Sequence, residues 1–271
     1  MATLYKNRNV WYITVSTGNK RLTRSLRTKD KQVAKQLKPT AELVRCYLKA
    51  DHNWSKRTRE LNDYVFRSYQ SGKPLPTNPT SRSIFVRTIN ACWNWGIKHS
   101  LITKSYKLEG DTKGESRNRV FSDSELKTLL NEIRDNRFNL FVRFAYYTGA
   151  RRGEIHCISK ENIFSNHIVA YGKSGKRLIK LNTQAKELLD ELEELWDYTK
   201  DFVSHKFKKE ARRLGIGDIR FHDLRRTFGY NLIKQGRPIY EVSKLLGHSS
   251  VTTTERHYAP LLATEIDDFV L

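Results

Sequence analysis

Four short segments in the second half of the chain carry residue types that can bind and cleave a phosphate ester. A guanidinium group is planar and always charged, so it can hold a phosphate with two hydrogen bonds, and a phenol can attack once cationic neighbours favour its ionised form. Taken alone, a pair such as His248 and Tyr258 would more often cap a helix and fill a core. The segments are TGARRGE (148–154), YGKSGK (171–176), HDLRRT (222–227) and LLGHSSVTTTERHY (245–258).

Together, these segments resemble the catalytic domain of the tyrosine recombinases, the phage-integrase family. That domain has an arginine in a T-G-x-R-x-x-E setting, a lysine on a β-hairpin, an H-x-x-R motif, an L-G-H turn and a tyrosine soon afterwards. All five features occur here in the family's order across residues 118–260. One such motif arises by chance often, whereas the ordered set is a strong signal.

The resemblance implies that Tyr258 attacks a DNA phosphodiester, leaving a 3′-phosphotyrosyl link and a free 5′-hydroxyl. Arg151 and Arg225 would bind the non-bridging oxygens, and His248 would add a third hydrogen bond. Lys173 would protonate the departing 5′-oxygen, and His222 would assist proton transfer around the tyrosine. Arginine and lysine would supply the positive charge that a metal gives other nucleases, so we expect no metal, no ATP and no other cofactor.

Several residues compete for these roles. Arg152 and Arg226 adjoin the favoured arginines, and motif spacing selects Arg151 and Arg225. Lys176 is the rival of Lys173, and Tyr147, Tyr171, Tyr230 and Tyr240 are formal rivals of Tyr258 that do not follow the L-G-H turn. We interpret Glu154 as structural support for the arginines and His257 as a helix residue. In many family members the tyrosine lies nine residues after the L-G-H histidine, whereas Tyr258 lies ten after His248.

The charge of the chain favours a nucleic-acid partner, although ribosomal proteins and membrane-surface proteins are also basic. Its 271 residues carry a formal charge of +21, and residues 1–50 alone hold 12 Lys or Arg against 2 Asp or Glu. Such a density favours polyanions through counterion release. No apolar run approaches a membrane span or a secretory signal. Cys46, Cys92 and Cys157 lack metal-ligand spacing and indicate reduced thiols, so we expect a cytoplasmic, nucleoid-associated protein without a membrane partner.

The predicted elements place the motifs in a mixed domain. Ser122 and Glu125 form a capping box that opens a helix, FNLFVRFAYYTGAR is a buried helix ending near Gly149, and HIVAYGKSGKRLIKL is a β-hairpin. The apolar period of TQAKELLDELEELWDY predicts another helix with an acidic outer face. Further helices are predicted from Phe202, His222 and Pro238.

The fold expected overall is multidomain and mainly α-helical. A helical core-binding domain (40–107) and a linker (108–119) would precede a mixed α+β catalytic domain with a small β-hairpin or sheet (120–271). The strand-like runs VWYITVS (10–16) and KRLTRSL (20–26) predict a small β unit in residues 1–38, and its resemblance to the three-stranded arm-binding domain of larger integrases implies an arm-binding role. The carboxy-terminal residues 262–271, with apolar Ile266, Phe269 and Val270, are expected to contact another protomer.

The leading hypothesis is a site-specific DNA integrase of a phage or other mobile element. Its partners would be double-stranded DNA at core and possibly arm attachment sites, three further protomers in a homotetramer, and possible DNA-bending or excision-directing helper proteins. The alternatives are a host recombinase that resolves chromosome or plasmid dimers, a type IB topoisomerase-like enzyme, and a regulator with an inert catalytic domain. Residues 1–38 argue against the first alternative, and the full set of six site residues argues against the last.

Overall fold

The computed structural model describes residues 2–17, 20–26, 29, 31–114, 117–172 and 175–262. The chain divides into two compact units, residues 1–115 and 116–271, and the division falls within the predicted linker. The fold is mainly helical with small antiparallel sheets, as the sequence predicts. Among the described residues, no helix is long and apolar enough to cross a membrane.

The first unit begins with a three-stranded antiparallel sheet in the order β1-β2-β3. Arg8 and Asn9 both have positive φ, 43° and 65°, as the tight turn of a two-residue hairpin requires. The strand pattern did not locate the first strand, although the resemblance implies three; its Tyr5 ring stacks on Tyr12 of the second, with 5.4 Å between centroids. The strands are β1 (Ala2–Asn7), β2 (Val10–Thr17) and β3 (Lys20–Ser25).

Three helices complete this unit: α1 (Lys31–Lys49), α2 (Lys56–Gln70) and α3 (Pro79–Lys98). The helix α1 packs against β1, β2 and both other helices. It runs continuously through the predicted domain boundary between residues 38 and 40, so no break in the backbone marks that boundary. The three helices enclose a core whose fully buried members include Val65, Phe66 and Trp93.

The second unit surrounds a larger core with helices and one hairpin. The capping box of Ser122 and Glu125 opens its first helix, which confirms that prediction. The elements are α4 (Asp123–Glu132), α5 (Asn136–Thr148), α6 (Arg152–Ile155), a short 3-10 helix (Lys160–Asn162), β4 (His167–Gly172), β5 (Gly175–Lys180), α7 (Thr183–Asp190), α8 (Lys200–Arg213), α9 (Phe221–Lys234), α10 (Ile239–Leu246) and α11 (Val251–Leu262).

The helix predicted over TQAKELLDELEELWDY is shorter than its apolar period indicates. It ends at Asp190, and residues 191–199 are not helical, with a turn at 191 and bends at 193–194 followed by irregular chain. The helix ends early because of Trp196. This residue is only 6% exposed and lies in the main core, and its Nε1 donates to the carbonyl of Arg137 at 3.1 Å. Burying this large side chain outweighs the helical preference of the acidic segment.

Candidate active site

The T-G-A-R segment forms the turn between α5 and α6. Gly149 ends α5 with φ of +60°, and a β-carbon there would lie 2.5 Å from the ring of Phe228. Arg151 caps α6: its backbone N–H and its Nη1 both donate to Glu154 at 2.7 Å, and its Nη2 donates to the carbonyl of Gly247 at 3.4 Å. With 34% of its side chain exposed, Arg151 is held firmly yet open to solvent.

Arg225 joins this turn to the L-G-H turn. It lies on α9 and is 4% exposed. Its Nη1 donates to the carbonyl of Gly149 at 2.6 Å, and its Nη2 donates to the carbonyl of Leu246. Burial, followed by the positive charges of Arg177 and Arg151, lowers the pKa of Arg225 to about 9. The two predicted arginines therefore lie in one cluster built on backbone carbonyls.

His248 follows Gly247, the left-handed residue with φ of +61° that ends α10. The ring Nδ1 of His248 shares a 2.8 Å hydrogen bond with the hydroxyl of Thr254, which is fully buried on α11. Burial, followed by the charges of Arg225 and Arg151, lowers the pKa of His248 to about 3. The histidine is therefore neutral at physiological pH and fixed in orientation.

Lys173 lies outside the described residues, but the hairpin around it is defined. Gly172 pairs with Gly175 at the end of the β4–β5 ladder. Both glycines line a cavity of about 380 Å³ together with Arg151, His248 and Lys176. The hairpin end therefore borders the same cavity as the arginine and the histidine, and the exposed rival Lys176 borders it too.

Tyr258 lies on α11, behind the arginines. It is 2% exposed and packs with Tyr230, Val242 and Leu246 in a small apolar cluster. Burial raises the pKa of Tyr258 to about 12, against the opposing charges of Arg225 and Arg226. The phenol is therefore protonated and shielded in this conformation.

His222 lies at the start of α9, where its side chain is exposed at the rim of a second cavity of about 350 Å³. Arg151 and Arg220 also line that cavity. Desolvation by the surrounding protein, followed by the charges of Arg225 and Arg226, lowers the pKa of His222 to about 4. Four of the predicted site residues thus have displaced pKa values in one region, as is typical of catalytic sites.

The rival arginines have other partners. Arg152 donates to the carbonyl of Lys200 at 2.5 Å and to the hydroxyl of Ser204 on α8. Arg226 donates to Asp223 at 2.7 Å. Arg152 is thereby bonded to α8, and Arg226 to a residue of its own helix α9.

Two residues of this region were missed by the sequence analysis, Arg177 and Thr254. Arg177 donates to both oxygens of Glu154, at 3.3 and 3.1 Å, and Thr254 holds His248. A lone arginine on a strand normally faces solvent, and one threonine in a run of three carries no distinguishing signal. Within the described ranges there is no group of three or more His, Cys, Asp or Glu that could hold a metal ion.

Comparison with known proteins identifies the family. Residues 119–265 match the Phage integrase family, and residues 3–41 match the Phage integrase N-terminal domain. Tyrosine recombinase XerC of Staphylococcus aureus (strain bovine RF122 / ET3-1) is 24% identical over 232 residues, covering 73% of this chain and 78% of that protein.

Two solved structures share the fold. A lambda integrase dimer bound to a COC′ core site has a TM-score of 0.68 at 17% identity, covering 99% of this chain and 97% of that one. A lambda integrase tetramer bound to a Holliday junction has a TM-score of 0.67 at 16% identity, covering 94% of each chain. The resemblance inferred from the four motif segments is confirmed, and the chain belongs to the phage integrase family of tyrosine recombinases.

Proposed function

We propose that this protein is the site-specific DNA integrase of a phage or another mobile element. The observation that carries the proposal is the cluster in which Arg225 donates to the carbonyls of Gly149 and Leu246, with the nucleophile candidate Tyr258 buried against Leu246. Arg151 and His248 line a cavity beside this cluster. A phosphate oxygen placed there would meet charged and neutral donors that are already oriented, which is the main source of transition-state stabilisation.

In the proposed reaction, the phenolic oxygen of Tyr258 attacks the scissile phosphorus, and the bond from phosphorus to the 5′-oxygen breaks. Arg151 and Arg225 hold the non-bridging oxygens with the help of His248. His222 accepts the phenol proton, and Lys173 gives a proton to the leaving 5′-oxygen. The phosphotyrosyl bond keeps the energy of the broken ester, so a second DNA strand with a free 5′-hydroxyl can reverse the steps without metal or ATP.

The net charge of the chain supports a DNA partner, and its structural likeness to lambda integrase supports a protein partner. The net charge of +21 suits double-stranded DNA at core attachment sites. Lambda integrase has been solved as a tetramer on a Holliday junction, and we propose a homotetramer for this chain, with helper proteins that bend DNA or direct excision. Its place of action would be the cytoplasm, on the nucleoid.

The amino-terminal residues favour an integrase over a host resolvase. Residues 3–41 match the Phage integrase N-terminal domain. We propose that β1–β3 read arm-type sites apart from the crossover, because a narrow basic sheet can enter a groove. The second candidate, a dimer-resolving recombinase, is favoured by the likeness to XerC of Staphylococcus aureus.

A nicked suicide substrate tests the chemistry. Tyr258→Phe should bind core DNA normally and form no covalent adduct, while the wild type should form it in the presence of EDTA. An adduct on Tyr240 in the variant would show that the nucleophile was misassigned. Cleavage abolished by EDTA would refute the metal-free mechanism.

Removal of residues 1–50 tests the biological role. The truncated protein should still cleave the core site but should fail in integrative recombination of a full attachment site. Unchanged integration by the truncated protein would favour the resolvase candidate.

A further inference from the structure

Arg177 is a nearly buried arginine on β5 that the proposed reaction does not use. Its side chain is 10% exposed. Burial lowers the pKa of its guanidinium, and the carboxylate of Glu154 opposes that shift. Its strand partner is Ala170, whose small side chain leaves room for the long stem. A charge buried to this extent is costly unless its partners are well placed, so its contacts indicate its role.

Those contacts join two separate parts of the site. The Nη1 of Arg177 donates to both oxygens of Glu154, at 3.3 and 3.1 Å, and its Nη2 donates to the carbonyl of Leu245 at 2.8 Å. Glu154 accepts in turn from Arg151. The side chain of Arg177 is 10% exposed against 34% for Arg151, and it donates to both oxygens of Glu154, so it presents less of its guanidinium to a phosphate than Arg151 does. Arg177 therefore acts as a tie, by which we mean a set of hydrogen bonds that links β5 to Glu154 of α6 and to Leu245 of α10.

The L-G-H turn is packed directly on this side chain. A β-carbon at Gly247 would lie 2.5 Å from Cδ and from Nε of Arg177, so any larger residue there would displace Arg177 and be strained by the φ of +61°. The Nε of Arg177 is buried and has no hydrogen-bond partner among the residues that the structure describes. The side chain of Arg177 is packed against the L-G-H turn even though its Nε–H has no partner among the described residues.

The strand that carries this tie begins at the end of the hairpin. Gly172, Gly175 and Lys176 line the cavity that Arg151 and His248 share. An antiparallel ribbon has a fixed rise per residue, so fixing β5 at Arg177 also fixes where the hairpin end lies.

We propose that Arg177 is a positioning residue that holds the hairpin bearing Lys173 beside His248 and Arg151. This inference rests on the proposed function, in which Lys173 is the general acid. Misplacing a catalytic group by about 1 Å can cost roughly 100-fold in rate, so losing the tie should slow cleavage by roughly 10- to 100-fold.

Hydrogen exchange tests the tie without reference to catalysis. Arg177→Gln removes the charge and the fork while keeping a polar side chain, and Lys180→Gln is the matched control, an exposed change on the same strand. Amides of residues 167–180 should exchange about tenfold faster in Arg177→Gln, while peptides from α9 keep their protection. Unchanged exchange in the hairpin would overturn the proposal. If Arg177→Gln fails to fold, Arg177→Lys keeps the charge but cannot reach both Glu154 and Leu245.

A substrate with sulfur at the 5′-bridging position tests the link to Lys173. A thiolate leaves without a general acid, so this substrate should restore cleavage by both Lys173→Ala and Arg177→Gln, whereas Arg151→Ala should stay slow. If the sulfur substrate restores cleavage by Lys173→Ala but not by Arg177→Gln, the inference is overturned.

A third outcome separates the inference from the proposed function. If sulfur restores neither variant, the general-acid role of Lys173 is wrong, and hydrogen exchange alone then decides whether Arg177 holds the hairpin. Faster exchange at residues 167–180 would support the tie, and unchanged exchange would overturn it.

Discussion

The hydroxyl of Tyr258 lies against the α-carbon of Gly229, in a space that only glycine leaves open. A β-carbon at Gly229 would be 2.6 Å from Cζ of Tyr258 and closer still to its hydroxyl oxygen, and 3.0 Å from a methyl carbon of Leu246. Gly229 lies inside α9 and needs no positive φ there. A helix-interior glycine costs about 1 kcal/mol relative to alanine, so this glycine is explained by the tyrosine that packs on it.

Gly229→Ala should therefore displace Tyr258 from its buried place. Overpacking costs about 1–3 kcal/mol. We expect this cost to fall on the conformation in which Tyr258 is buried. A cost of about 1.4 kcal/mol there would raise the rate of adduct formation on a suicide substrate about tenfold. Gly217→Ala is the control, because a β-carbon there meets open space. Equal adduct rates for Gly229→Ala and wild type would show that the tyrosine leaves its place freely.

Thr254→Val should disturb His248 without changing the volume of the buried side chain. The lost hydrogen bond, at 2.8 Å, fixes the imidazole ring. A neutral hydrogen bond contributes about 0.5–1.5 kcal/mol, so single-turnover cleavage should slow by roughly 2- to 13-fold. Thr254→Ser should restore the rate, because it keeps the hydroxyl. In a His248→Gln background, Thr254→Val should slow cleavage little further. If the two substitutions slow cleavage additively, Thr254 does not act by orienting His248.

Stability should fall as the pH drops below about 6.5. His248 has a folded-state pKa of about 3, below the ordinary value of 6.5. The unfolded chain therefore binds protons first, and the folded state loses stability progressively between about pH 6.5 and pH 3. Thermal melts from about pH 7 to about pH 4 should show a shallower decline for His248→Gln. The exposed His205→Gln on α8 serves as the control, and a decline identical to wild type in both variants would argue against a half-buried, neutral His248.

Lys176→Ala should retain general-acid catalysis. Lys176 borders the cavity of Arg151 and His248, and its exposed side chain could contact DNA. Its removal should weaken DNA binding modestly and reduce the salt dependence of binding by about one counterion. Cleavage of bound substrate should be unaffected, and a 5′-bridging sulfur should give no gain. A large gain with sulfur would transfer the general-acid role from Lys173 to Lys176.

Local signals predicted much of the second unit. Ser122 with Glu125 marks the start of α4, Gly149 ends α5 in the left-handed region, and the predicted hairpin has its strands where β4 ends at Gly172 and β5 begins at Gly175. Each of these depends on neighbours a few residues apart in the chain. The four motif segments likewise predicted a common site, because residue type and order are visible in sequence.

Long-range packing explains what the sequence did not reveal. Trp196 draws residues 191–199 out of a helix because its ring has a place in the core. The burial of Arg177 depends on Glu154 and on a carbonyl 68 residues away. The predicted domain limits stay a prediction, as do the roles of the six site residues, and the carboxy-terminal residues 263–271 lie outside the described part of the chain.

The bonds from Arg225 to two main-chain carbonyls have a consequence for engineering. These carbonyls lie 76 and 21 residues away in sequence, yet a carbonyl is present whatever side chain its residue carries. The length of the intervening chain can therefore change at low entropic cost, since closure of a longer loop costs little more. The surface turn at residues 191–194, between α7 and Trp196, is a suitable insertion point for a ligand-responsive domain. A recombinase controlled by a small molecule could be built there with the phosphate-binding cluster left intact.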